Sequence, residues 1–129
     1  MTAPDRQSPR VQLDIFLNKF VEGVPYLCRA TDISEHGISV GSLIEPELAA
    51  RLDGEPVQVG LQFQLPGTTP VVYAEAEIVR VQERASTTGF GLHFTHMAER
   101  HRLLIRAYVE RMGRALDAHT PKELLLQPI

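Results

Sequence analysis

The sequence predicts an all-β barrel of six antiparallel strands, capped by one C-terminal amphipathic helix. Three observations carry this prediction. Apolar and polar residues alternate in short runs from Val11 to Phe94. Turn-forming residues interrupt those runs at short spacing, as in small antiparallel barrels. After Phe94 the apolar period lengthens to that of a helix.

The elements follow in order. Residues 1–10 are polar, include two prolines and precede the first periodic pattern, so they read as a flexible arm. Val11, Leu13, Ile15 and Leu17 are apolar, whereas Gln12, Asp14 and Asn18 are polar, the period of a half-buried strand. Phe16 breaks the alternation and is assigned to a barrel end. Glu22-Gly23 is a turn, and Val24 to Ile33 is the second strand. Ser34-Glu-His-Gly37 is a turn by composition, and Ile38-Ser-Val40 resumes an extended segment. The stretch from Pro46 to Leu52 is read as a short helical turn. Val57, Val59, Leu61, Phe63 and Leu65 alternate without a miss, the clearest strand signal in the chain.

A loop at Pro66–Pro70 leads to Val72, Ala74, Ala76 and Ile78, which alternate again and run on through Val79 and Val81. The run Thr87 to Phe94 is the last strand, with Gly89 and Gly91 permitting a bulge or a close backbone approach. Ile105, Val109, Met112 and Leu116 then form one helical stripe, widened by Leu104, Tyr108 and Ala115. The helix is expected from about Ala98 to about Ala118, stopping before Pro121. The domain division is therefore an arm at 1–10, a barrel with its helix at 11–118 and a tail at 119–129 that contains Leu124-Leu-Leu126.

A chain of 129 residues suits one domain with one core. Its formal net charge of −3 excludes a general polyanion binder, so any anion site must be a local concentration of arginine. The single cysteine, Cys28, excludes an internal disulfide and a zinc cluster, and its apolar context reads as burial. The segment Met1 to Asp5 lacks an apolar core, so no signal peptide is expected, and no apolar run reaches the ~20 residues of a membrane span. The expected setting is the cytoplasm. His93, His96 and His101 lack a carboxylate at ligand-like spacing and read as surface or packing residues, so no metal is expected.

Two short motifs carry chemistry. Arg6 and Arg10 sit four apart in a segment with little apolar content. Arginine presents a planar fork of donors that matches phosphate oxygens and the O6/N7 edge of guanine. Asp32-Ile-Ser34-Glu-His-Gly37 follows the second strand. Asp32 can accept from guanine N1–H and its exocyclic amine. Ser34 can donate to phosphate or hold the turn, and Gly37 permits a positive φ or a ligand contact at the backbone. By itself Asp-x-Ser-x-x-Gly is a common turn pattern, and Arg-x-x-x-Arg in a polar arm is usually a solvated pair. Their combination, on an arm and a second turn, is much rarer.

In that combination the chain resembles the PilZ family, whose signature is Arg-x-x-x-Arg before the first strand and Asp/Asn-x-Ser-x-x-Gly after the second. Arg6-Gln-Ser-Pro-Arg10 and Asp32 to Gly37 match it, and Gly89 to Phe94 resembles the family's closing strand. The resemblance covers about residues 5 to 116. It implies a receptor rather than an enzyme, with bis-(3′,5′)-cyclic dimeric GMP as ligand and no cofactor. Arg6 and Arg10 would grip phosphates and guanine edges, Asp32 would read a guanine, and Ser34 and Gly37 would shape the pocket floor. His36 is an additional candidate contact. Binding would order the arm and so signal to an unidentified protein partner, in motility, polarity or surface behaviour, with the chain a monomer or weak dimer. Asp5 stands where members that take up a stacked ligand pair often carry a basic residue, so one ligand per chain is expected.

Two other readings keep the fold. A PilZ-like interaction module would not depend on nucleotide, and the C-terminal helix and leucine tail would be its contact surfaces. A barrel binding single-stranded nucleic acid would want a basic groove with stacked aromatics, which an acidic chain without tryptophan does not offer.

Overall fold

The first hairpin turns on Glu22 and Gly23, whose φ angles are 53° and 83°. Positive φ at both central residues matches the right-handed twist of the flanking strands. It joins β1 (Val11–Val21) to β2 (Val24–Ile33), with Val21 opposite Val24. The computed structural model describes residues 9–42, 57–84 and 87–126. Within them lie β3 (Gly37–Ser42), β4 (Gln58–Phe63), β5 (Val72–Arg84), β6 (Thr87–Met97) and α1 (Glu99–Leu126). The helical turn expected at Pro46–Leu52 lies outside the described residues.

The strands close into an antiparallel barrel in the order β1-β2-β3-β6-β5-β4. Closure is made by β4 on β1, through Asn18 opposite Gln62, Lys19 opposite Leu61 and Phe20 opposite Gly60. Alternation sorts the side chains. Leu17, Cys28, Ala30, Val40, Leu61, Ala76 and Leu92 face one common core and are almost fully enclosed. The inward set of β1 continues to Lys19, which is enclosed with Nζ 3.9 Å from the centroid of the Phe90 ring, a cation over an aromatic face. Phe16 belongs to the opposite, outward set. It is 67% exposed on the outer wall opposite Arg29, not at a barrel end as expected from sequence.

Of the four register shifts between paired strands among the described residues, two re-aim outward residues. In β2, Ala30 pairs with Val40 but Asp32 with Ser39, so Thr31 is the extra residue. Ala30 and Ile33 both stay in the core, and Thr31 and Asp32 between them face away from it. In β5, Ile78 pairs with Leu92 but Arg80 with Gly91, which leaves Val79 and Arg80 both outside. Continued alternation from Val72 to Ile78 would turn Arg80 inward; the bulge keeps it outside beside Val79, which is 62% exposed.

Because neighbours run antiparallel, the β2–β3 turn and the end of β6 meet at one barrel end, and α1 lies there. Ile105, Tyr108 and Val109 bury into the core, with Leu104 and Met112 packed against it. The Tyr73 amide donates to His101 Nδ1 at 3.3 Å, which pins the first turns of α1 to the start of β5. The helix runs eight residues beyond the expected stop at Ala118, to Leu126, and so takes in part of the expected tail. Pro121 withdraws one backbone donor from the ladder, a local loss that the helix spans. No described helix is long and apolar enough to cross a membrane.

Candidate functional site

The β2 bulge and the turn after it build one small polar face at the helix-bearing end of the barrel. Asp32, re-aimed by the extra Thr31, pairs in register with Ser39 of β3. Arg10, one residue before β1, lies across both strands. Its Nε donates to Asp32 Oδ1 at 2.7 Å, and Nη2 approaches the same oxygen at 2.7 Å. Nη1 reaches Ser34 Oγ at 3.3 Å and Nη2 reaches Ser39 Oγ at 3.5 Å. One guanidinium thus spans both halves of the motif pair. Arg10 and Asp32 keep 44% and 34% of their side-chain surface, so the pair is open to a solute.

Ser34 works beneath this face. It is 1% exposed, and its Oγ accepts from the His36 and Gly37 amides, each at 3.2 Å. The Ser34 amide donates to the Gly37 carbonyl at 2.8 Å, closing the turn on itself. The hydroxyl oxygen thus takes part in holding the turn. Gly37 does not use the positive φ that glycine permits, and it has no room for a side chain. A Cβ there would stand 2.4 Å from the Leu92 carbonyl oxygen, so glycine is demanded by the close approach of β6. His36 presents an exposed side chain, and its carbonyl accepts from the Phe94 amide at 2.9 Å. Arg6 and Asp5 lie outside the described residues.

Two contributors were not singled out from sequence. Ser39 is the polar residue between Ile38 and Val40, and that alternation was the available signal that it shares the outer face with Asp32. Glu35 accepts from Arg106 of α1, at 3.3 Å from Nε and 3.1 Å from Nη2. This hydrogen bond and the carboxylate's charge raise the Arg106 pKa above its ordinary value. No local sequence pattern could have linked positions 71 residues apart. His96 stands 3.4 Å from Glu75 and His101 binds the Tyr73 backbone.

A closed six-stranded barrel with an arginine-bridged Asp-x-Ser-x-x-Gly turn defines a class of small β-domain, and comparison with known proteins says which. The PilZ domain family model matches residues 4–111, and the chain belongs to that family. Among solved structures, the Bacillus subtilis inhibitor of motility MotI/DgrA is similar with a TM-score of 0.65 and 21% identity, covering 87% of this chain and 52% of that one. The PilZ domain of Escherichia coli YcgR with c-di-GMP gives a TM-score of 0.64 at 12% identity, covering 91% of this chain and 98% of that one. YcgR of Escherichia coli in complex with c-di-GMP gives 0.61 at 14% identity, covering 91% and 50%. The chain therefore spans about half the length of two of these proteins. No curated protein matches it.

Proposed function

We propose that this chain is a cyclic di-GMP receptor whose ligand is held on the outer face formed by Arg10, Asp32 and the Ser34–Gly37 turn, with Arg6 closing from the arm. The single observation that carries this reading is Arg10 lying across Asp32, Ser34 and Ser39, so that one guanidinium joins both halves of the signature. Family membership supports it, as does the similar PilZ domain of YcgR that was solved with this dinucleotide.

The chemistry follows from the side chains. Arginine forks donate two parallel hydrogen bonds to a phosphate or to a guanine O6/N7 edge. Asp32 accepts from the guanine N1–H and amine edge, and Arg10 holds it in place for that task. Ser34 and Gly37 act as positioning residues that fix the turn under the ligand. Nothing is chemically transformed; the output is the arm drawn onto the barrel face and read by a protein partner. The chain acts in the cytoplasm, and motility is the process proposed, in line with the motility inhibitor of similar fold. Asp5 limits the site to one ligand.

Titration by calorimetry of wild type and Arg10→Ala with cyclic di-GMP, GTP and a short oligonucleotide tests this. The wild type should bind only the cyclic dinucleotide, one per chain. Loss of one charge-assisted donor set, worth about 1.5–3 kcal/mol, should weaken binding roughly 10- to 150-fold. Undiminished binding by Arg10→Ala refutes the site, two ligands per chain refute the stoichiometry, and no binding by wild type leaves the nucleotide-independent interaction module as the reading.

A further inference from the structure

The polar face does not end at Ser39. One register line runs across four strands, from Asp32 of β2 to Ser39 of β3, Gly91 of β6 and Arg80 of β5. The bulge between Ile78 and Arg80 is what brings Arg80 onto this line. Bulges of this kind re-aim side chains and recur beside functional sites.

The Arg80 side chain crosses from β5 over β6. A Cβ added at Gly91 would lie 3.0 Å from Arg80 Cζ, 3.0 Å from Nη2 and 3.2 Å from Cβ. Its guanidinium therefore occupies the space that any other residue at position 91 would fill, and it does so beside Ser39, on the flank opposite Arg10. Between the two arginines, β3 and β6 present Ser39 opposite Gly91 and Gly41 opposite Gly89. Three of these four positions are glycine, so the panel carries no large side chain of its own beneath the Arg80 guanidinium. β3 and β5 are two strand spacings apart, about 10 Å.

Charge separates Arg80 from its neighbours. Arg10, Arg29 and Arg106 are each committed to a carboxylate, on Asp32, Asp14 and Glu35. Arg80 is exposed and makes no hydrogen bond or ion pair among the described residues. An uncommitted planar cation over a glycine, on the same face as an arginine–carboxylate pair and in an acidic chain, suits a planar, anionic ligand.

Resting on the receptor reading above, we infer that Arg80 is a second ligand-contacting arginine, which stacks its guanidinium plane on a purine ring of the nucleotide lying over the Ser39–Gly91 panel. Gly91 is the clearance that lets it do so. The contact is specific to arginine, because lysine keeps the charge but has no plane to stack.

Cyclic di-GMP affinity of wild type, Arg80→Ala, Arg80→Lys and Arg114→Ala, measured by calorimetry at fixed salt, tests the inference. Arg80→Ala should bind about 5- to 30-fold more weakly, the range of a partly desolvated cation–π contact. Arg80→Lys should recover less than half of that loss, and Arg114→Ala, which removes the same charge from α1, should match wild type. Unchanged affinity in Arg80→Ala overturns the inference, as does full recovery in Arg80→Lys or an equal loss in Arg114→Ala. Circular dichroism melts check that each variant is folded, which the exposure of Arg80 predicts. A wild type that binds while Arg80→Ala binds equally sinks this inference alone; a wild type that does not bind sinks the receptor reading and this inference with it.

Discussion

At Gly37 the backbone of β6 comes so near that a methyl group would meet the Leu92 carbonyl oxygen at 2.4 Å. The obstacle is main chain in a paired ladder, so no side-chain rotation relieves it. Gly37→Ala should cost about 1–3 kcal/mol of stability, the range for forced overpacking, read from urea unfolding. It should also weaken cyclic di-GMP binding, because the Ser34 hydroxyl is bonded to the amide that must shift. Wild-type stability for Gly37→Ala would show that β3 and β6 separate freely here.

Asp14 offers a pH test at the same scale. The hydrogen bond from Arg29 Nε, 2.8 Å long, and then the Arg29 charge hold its carboxyl below the usual carboxylate range. A depressed pKa contributes stability above the ordinary value, and that contribution is lost as pH falls through the folded pKa. Both groups are exposed, so the effect is small. The cleaner readout is the Asp14 titration itself by NMR, which should move upward in Arg29→Gln. An unmoved titration would break the assignment of cause.

Among the elements, α1 is tied to the barrel by apolar packing and by one polar link to the signature turn. Ile105 is 0% exposed, so Ile105→Ala should cost about 2–5 kcal/mol through lost burial and a cavity. Unfolding midpoints check this. The polar link, Glu35 to Arg106, should matter for turn order more than for stability, since Arg106 is half exposed. Arg106→Ala should speed amide exchange at Glu35 to Gly37, and adding Glu35→Ala should change it little further, because both substitutions remove one interaction. Additive effects would mean that the two side chains act separately.

Elements were also where the sequence was most and least legible. Glu22-Gly23 announced its hairpin, and the unbroken alternation from Val57 announced β4, because both signals are local. The bulges at Thr31 and before Arg80 were not legible. Each is defined by a mismatch of pairing with another strand, and Thr31 and Val79 look like ordinary strand residues in isolation. The motif turn was readable as a turn, but the reason for Gly37 lay in Leu92, 55 positions along the chain. Pro121 was read as a stop because a proline opposes helix locally, and one lost donor did not end α1.

For the whole molecule, closure removes free sheet edges but leaves unequal seams. β5 and β6 pair from Arg84–Thr87 to Ala74–Met97, whereas β1 and β4 pair only across Asn18–Gln62, Lys19–Leu61 and Phe20–Gly60. The short seam is where the barrel should open first, and amides of β4 that bond to β1 should exchange faster than those inside the β5–β6 ladder. Such an opening leaves Arg10, Asp32, Ser39 and Arg80 in place, since their register line runs through β2, β3, β6 and β5. Ligand binding stabilises only against openings that destroy its site, by about 2.7 kcal/mol at a hundredfold excess over Kd. Cyclic di-GMP at that excess should therefore slow exchange at Ser34 to Gly37 and along β2–β3, while the β1–β4 amides keep their rates. Equal slowing at both places would mean that the barrel opens as a single cooperative unit, and the site would then depend on the seam as much as on its own strands.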